Sequence, residues 1–160
     1  MAVWKKLENK DRQCFGCGLE NKNGLQMKFE TNGEKIRSEI VIPKYFRGWS
    51  RLAHGGIIST ILDETMSWTA VCFFRRFILT QNMSVRFRRP VYIDSVLTST
   101  GWIKEKVSDK KAVMCADLRD EKGKVCATSE GRFVLFDTEE FKRLEFVDKN
   151  ILDEIKEFFN

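Results

Sequence analysis

Apolar and polar positions alternate from Leu25 to Thr31 (LQMKFET) and again from Lys35 to Ile42 (KIRSEIVI), with Asn32-Gly33 between them. Period-two alternation on either side of an Asn-Gly pair predicts an antiparallel hairpin closed by a two-residue turn. Pro43 has no N–H for a continuing ladder and ends the second strand; the segment YFRGWSRLA then reads as a loop rich in aromatic and basic residues. From Gly56 to about Phe74 the period changes. No proline interrupts this stretch, apolar residues predominate, and Ser59, Asp63 and Ser67 recur every fourth position while Ile57, Ile61 and Trp68 take another face. The spacing predicts one long, largely buried helix whose polar stripe faces something other than plain core. Four stretches of strand character follow: Leu79–Arg89, Val96–Val107, Lys111–Arg119 and Lys124–Phe136, separated by Pro90, Ser108-Asp109 and Asp120-Glu121-Lys122-Gly123. In the first, Val85 and Phe87 point one way and Ser84, Arg86 and Arg88 the other, as in a sheet with one covered face. The tail, Thr138 to Asn160, has helical spacing at Phe141 and Leu144 and at Ile151, Ile155 and Phe158, and is expected to pack peripherally. This order predicts an α+β fold in which one helix covers a curled antiparallel sheet of about six strands.

Composition narrows the setting. A chain of 160 residues fits a single domain, read as an N-terminal loop segment (1–24), a core (25–137) and a helical tail (138–160). The N-terminus lacks the apolar run of a signal peptide, and no stretch approaches the roughly 18 apolar residues of a membrane span, so a cytoplasmic protein without a membrane partner is expected. Its cysteines (Cys14, Cys17, Cys72, Cys115, Cys126) are odd in number, and three lie in apolar or alternating segments, which favours reduced thiols over a disulfide framework. Net charge is +5, but basic residues alternate with acidic ones instead of forming a block. Nucleic acid is one polyanion such a surface could meet, and the phosphates of coenzyme A are another.

The candidate chemistry starts where the helix does. In His54-Gly55-Gly56, two glycines let backbone approach a ligand closely, and the first N–H groups of a helix have no internal partner, so they can receive partial negative charge. Asp63 lies further along the same helix, either as a buried acid satisfied by Ser59 or Ser67 or as a reactive carboxylate.

The run His54-Gly55-Gly56-Ile57-Ile58-Ser59-Thr60-Ile61-Leu62-Asp63-Glu64 resembles the signature of hotdog-fold thioesterases, in the branch similar to phenylacetate-pathway acyl-CoA thioesterases. Cys14-Phe15-Gly16-Cys17-Gly18, Asn23-Gly24-Leu25, Gly48-Trp49 and Val85-Arg86-Phe87 before Pro90 add to the resemblance, which covers roughly residues 14 to 136. It implies a hotdog fold and hydrolysis of an acyl-CoA thioester to a carboxylic acid and free coenzyme A, with no metal and no other cofactor. Asp63 would act as general base or nucleophile, and the Gly55 and Gly56 N–H groups would stabilise the oxyanion, an effect on the order of 3 kcal/mol for one such donor. Gly56 and Asp63 are seven residues apart, roughly 10 Å along a helix axis, so one carbonyl cannot contact both within one chain. A homodimer with antiparallel helices would join them, as in related enzymes, with further pairing into tetramers left open. Thr80 matches the position of a serine or threonine that orients water or the acid. The chain departs from part of the family before His54, where Arg47-Gly48 stands in place of an Asn or Gln.

Other readings of the same residues stand beside these. His54, the one histidine, binds or orients, or is purely structural, and no Gly-x-Ser-x-Gly elbow accompanies it. Glu64 rivals Asp63 but falls about 100° around the helix. Cys14-x-x-Cys17 could be half of a zinc site, a redox pair or a packed loop; a second CxxC or a spare histidine pair is missing. Arg86, Arg88 and Arg89 could meet coenzyme A phosphates or form a solvated face, and Trp49 and Ser67 are further candidates for substrate contact. The rival functions are a non-catalytic acyl-CoA binding or sensing protein, a nucleic-acid binder lacking any recognised motif, and a dehydratase on the same fold.

Overall fold

The computed structural model describes residues 3–159. Its strands are β1 (Lys5–Lys6), β2 (Glu30–Thr31), β3 (Ile36–Val41), β4 (Phe77–Phe87), β5 (Val96–Ser108), β6 (Lys111–Arg119) and β7 (Val125–Phe136), and its α-helices are α1 (Gly55–Phe74), α2 (Thr138–Arg143) and α3 (Lys149–Glu157). All strands join one antiparallel sheet in the order β1-β2-β3-β5-β6-β7-β4, curled around α1. This is a hotdog fold with seven strands in place of the expected six or so; the addition is the short β1, which pairs Lys5 with Thr31 and Lys6 with Glu30.

Helix α1 starts one residue earlier than the pattern predicts, because His54 caps it: its Nδ1 accepts the Gly56 N–H at 2.9 Å. It stops at Arg75, held in the left-handed region (φ 51°) with its N–H on Val71 O. Ile58, Ile61, Leu62, Thr65, Met66 and Thr69 are buried, while Ser59, Asp63 and Ser67 form a half-buried stripe at the rim of that face. By length and hydropathy alone α1 could cross a membrane, contrary to the reading of no such stretch; its packing on the sheet accounts for its apolar character.

Helix and sheet meet closely at two glycines. A Cβ on Gly101 would lie 2.3 Å from Thr69 Oγ1, and one on Gly131 would lie 3.2 Å from Met66 Cε. Beside Gly101, Thr65 Oγ1 bonds Ile61 O at 2.7 Å and Ser99 Oγ at 2.8 Å, so the polar atoms at this contact are satisfied. Alternation holds on β3, where Ile36, Ser38 and Ile40 are buried, and on β7, where Ser129, Gly131, Phe133 and Leu135 are.

The first predicted strand is mostly not one. Leu25, Met27 and Phe29 are buried and Gln26 and Lys28 exposed, as alternation requires, but the Leu25 and Met27 N–H groups bond Phe15 O and Gly16 O, and Gln26 has φ 49°. Only Glu30–Thr31 enters the ladder, and the turn spans residues 32–35, with Asn32 Oδ1 accepting from the Glu34 and Lys35 N–H groups. β4 ends at Phe87, since the Arg88 and Arg89 N–H groups both reach Cys126 O. The tail forms α2 and α3, with Phe141 stacked on Phe77 at 4.6 Å between centroids. Leu152 is buried there, and Leu144, expected on the packed face, is exposed beyond the end of α2.

Candidate active site

Two groups of residues lie against β4, which forms one of the two edges of the sheet. The first is the start of α1. The Gly56 N–H is taken by His54 Nδ1, so that nitrogen carries no proton and His54 serves as a cap. Among the described residues, the Gly55 N–H has no acceptor, and it remains the available amide of the expected pair. The preceding loop is stapled by the His54 N–H to Phe46 O at 3.0 Å and the Ala53 N–H to Val91 O at 2.9 Å, so the helix start is held rigidly. A Cβ on Gly55 would lie 3.5 Å from Phe87 Cζ, which places the end of β4 beside this amide.

The second group is Asp63 with Thr80. The threonine hydroxyl donates to Asp63 Oδ1 at 2.8 Å across the gap between α1 and β4. A β-bulge between Thr80 and Asn82 interrupts the β4–β7 register there, a local kink that re-aims side chains. Burial raises the Asp63 carboxyl above its ordinary value, and the Thr80 hydroxyl opposes that by stabilising the anion. One oxygen is thus held, and no donor among the described residues bonds the other, which can accept a proton from water. Ser67 lies one turn further along the stripe, half-buried.

Glu64 points elsewhere. Its Oε1 lies 3.7 Å from Cys14 Sγ, and the ligand atoms of Cys14, Cys17 and Glu64 all lie within 4.8 Å of one another. Burial raises Glu64 to about 7. In the thiol pair, the hydrogen bond between the two sulfurs lowers Cys14 and raises Cys17. Linear spacing gave no sign of this grouping, because Glu64 is 50 positions from Cys14 and only the folding of the loop onto α1 joins them.

The remaining candidates lie at the periphery. Arg86 is exposed on β4, Arg88 is exposed beyond it, and Arg89 donates to Val125 O at 2.6 Å; none is ion-paired among the described residues. Trp49 is 85% exposed in the loop before α1. Trp68, on the apolar face of α1, belongs to the core, stacked on Phe29 at 5.2 Å between centroids.

A sheet curled around one long helix is a hotdog fold, and here a glycine pair opens the helix and an acid lies further along it. Residues 51–127 match the family model described as the thioesterase superfamily. The chain is similar to a crystal structure of a thioesterase superfamily protein, with 27% identity, a TM-score of 0.69, and coverage of 77% of this chain and 60% of that one. It thus spans less than two thirds of that relative's length. The Escherichia coli PaaI protein of the phenylacetic acid degradation operon shares the fold at 14% identity and a TM-score of 0.61, over 70% of this chain and 80% of that one. A hypothetical thioesterase from Streptococcus pneumoniae, solved with coenzyme A, shares it at 17% identity and a TM-score of 0.60, over 64% and 81%. Two further structures of the Streptococcus pneumoniae thioesterase carry alanine in place of an aspartate and of a threonine. No curated protein matches the sequence.

Proposed function

We propose that the protein is an acyl-CoA thioesterase of the PaaI-like branch, acting as a homodimer in a reducing cytoplasm. Water attacks the thioester carbonyl carbon while Asp63 takes its proton, and the Gly55 N–H stabilises the oxyanion. Collapse of the tetrahedral intermediate expels the coenzyme A thiolate, which takes a proton, and leaves the carboxylic acid. The carrying observation is the Asp63–Thr80 hydrogen bond at an unpaired sheet edge whose far end meets Gly55. Coenzyme A in the Streptococcus pneumoniae relative supports the ligand class, and its aspartate and threonine variants involve the same two residue types. Five free cysteines suit a reducing compartment.

The direction of β4 supports the dimer. Going from Thr80 to Phe87, β4 moves from Asp63 back toward Gly55, against the direction of α1. Antiparallel pairing of β4 with its copy, centred between Met83 and Ser84, sets Thr80 opposite the partner subunit's Phe87. Asp63 then faces the partner's Gly55, and two-fold symmetry gives two equivalent sites. Arg86 and Arg88 at this edge are free to meet phosphate.

Subunit mixing tests the shared site. Asp63→Asn removes the base, and Gly55→Pro removes the N–H at the first helical position, where proline is well tolerated. Each variant alone should release no thiol from acyl-CoA. Heterodimers formed by unfolding and refolding the two together hold one intact site, so an equal mixture should regain about one quarter of wild-type turnover under two-fold symmetry. Absence of recovery although heterodimers form would refute the shared site. Acyl-CoA binding by wild type without turnover would mean a sensor instead.

A further inference from the structure

The loop before β2 is built against α1 in a way that hydrolysis does not use. The Gly18 N–H bonds Cys14 O at 2.8 Å and the Leu25 N–H bonds Phe15 O at 2.8 Å, so the backbone around the two cysteines is closed on itself. A Cβ on Gly16 would sit 2.5 Å from the Glu64 carboxyl carbon, and one on Gly18 would sit 2.5 Å from Cys14 N. Glycine at position 16 lets this backbone lie directly on the Glu64 carboxyl, which has an oxygen within 4.8 Å of both sulfurs. Asn9 Nδ2 donates to Cys17 Sγ at 3.2 Å and is fixed by further bonds to Cys17 O and Asp11 O. An oriented N–H aimed at a buried sulfur is the outer-shell arrangement that supports a thiolate ligand.

We propose that Cys14, Cys17 and Glu64 form a divalent-metal site suited to Zn2+, which fastens the cysteine loop to α1. Two thiolates and a carboxylate match the ligand preference of zinc, with Zn–S of about 2.3 Å and Zn–O of about 2.0 Å. Tetrahedral bonding at those lengths sets sulfur and oxygen roughly 3.5 Å apart, and Cys14 Sγ and Glu64 Oε1 stand at 3.7 Å. The buried Cys17 and half-buried Cys14 and Glu64 leave the fourth position to water from the open side. Counting ligands along the sequence stops at two; the third comes from the helix. The site is on a different side of α1 from Asp63 and does not rest on thioester hydrolysis.

The test uses the full chain, stripped of metal and titrated with Zn2+ alone, with Co2+ as a spectroscopic substitute. One equivalent should bind per chain, raise the melting temperature, and with Co2+ give a thiolate-to-metal charge-transfer band. Cys14→Ser, Cys17→Ser and Glu64→Gln should each weaken affinity by more than the roughly 10- to 100-fold typical of an outer-shell loss, and Asn9→Ala by about that amount. Cys115→Ser, on β6, should change nothing. Should Cys17→Ser fail to fold, the isosteric Glu64→Gln decides. Binding below about one tenth of an equivalent at ligand excess, or full affinity in Glu64→Gln, would overturn the site.

Discussion

Gly101→Ala tests how closely α1 sits on the sheet. The new methyl group would lie 2.3 Å from Thr69 Oγ1 and 3.0 Å from both Thr65 Cγ2 and Thr65 O. The first contact is more than about 1 Å too short for van der Waals packing. Thr69 Oγ1 cannot rotate away without leaving its 2.7 Å bond to Thr65 O, and Thr65 O belongs to the helix backbone, so relief requires α1 to lift from β5. Overpacking of this kind costs about 1–3 kcal/mol. Alanine in a strand recovers about 0.5–1 kcal/mol that glycine loses to backbone entropy. The net loss is centred near about 1 kcal/mol and at most about 2.5 kcal/mol, or up to roughly 10 °C in melting temperature for a chain of this size. Urea and thermal unfolding measure it, and Thr69→Ala supplies the cycle. With the hydroxyl gone, the double variant should show a favourable coupling of at least about 0.5 kcal/mol. Gly101→Ala as stable as wild type, with no coupling to Thr69→Ala, would mean that the helix is free to move at this contact.

Thr80→Val should reduce kcat and move the acid limb of the pH profile upward. The lost hydroxyl stabilised the Asp63 anion against burial, so the carboxyl then deprotonates at higher pH; Thr80→Ser should restore both, and an unmoved profile would deny Thr80 its positioning role. Asp137 and Glu140 form a reciprocal capping box at α2, so Asp137→Ala should cost about 1 kcal/mol by urea unfolding. A loss below about 0.3 kcal/mol would mean the box carries little of the helix's stability. Phe141→Ala opens a cavity against Phe77 and should cost about 3 kcal/mol, with tail residues becoming sensitive to limited proteolysis before the sheet does; simultaneous loss of tail and sheet would contradict a satellite core.

The long elements were legible because each keeps one period throughout: every fourth position on α1, every second on β3 and β7. β6 matched its predicted bounds, and β5 runs one residue longer than expected. Residues 25–29 also alternate, yet their N–H groups bond a loop; alternation reports which side is buried and says nothing about where hydrogen bonds go. Phe87, expected on the covered face, is 56% exposed, because β4 has no neighbour on its outer side and Phe87 lies beside the first residue of α1, Gly55, where the helix cover begins. His54 was singled out from sequence, but its capping of Gly56 depends on a side-chain torsion that spacing does not encode. The Cys14–Cys17–Glu64 grouping was illegible for the simplest reason: its members belong to separate elements, and only tertiary packing makes them neighbours.

The position of β4 also bears on how the protein is made. Its single neighbour in the sheet, β7, is translated last among the strands, since Phe87 pairs with Ala127 and Phe77 with Phe136. At typical synthesis rates that interval lasts roughly 2–12 s. Throughout it, a strand carrying Leu79 and Phe87 leaves the ribosome with both sides bare, a template for joining the wrong chain. Polysomes, which crowd many such nascent chains together, are therefore where this protein is most exposed to misassembly.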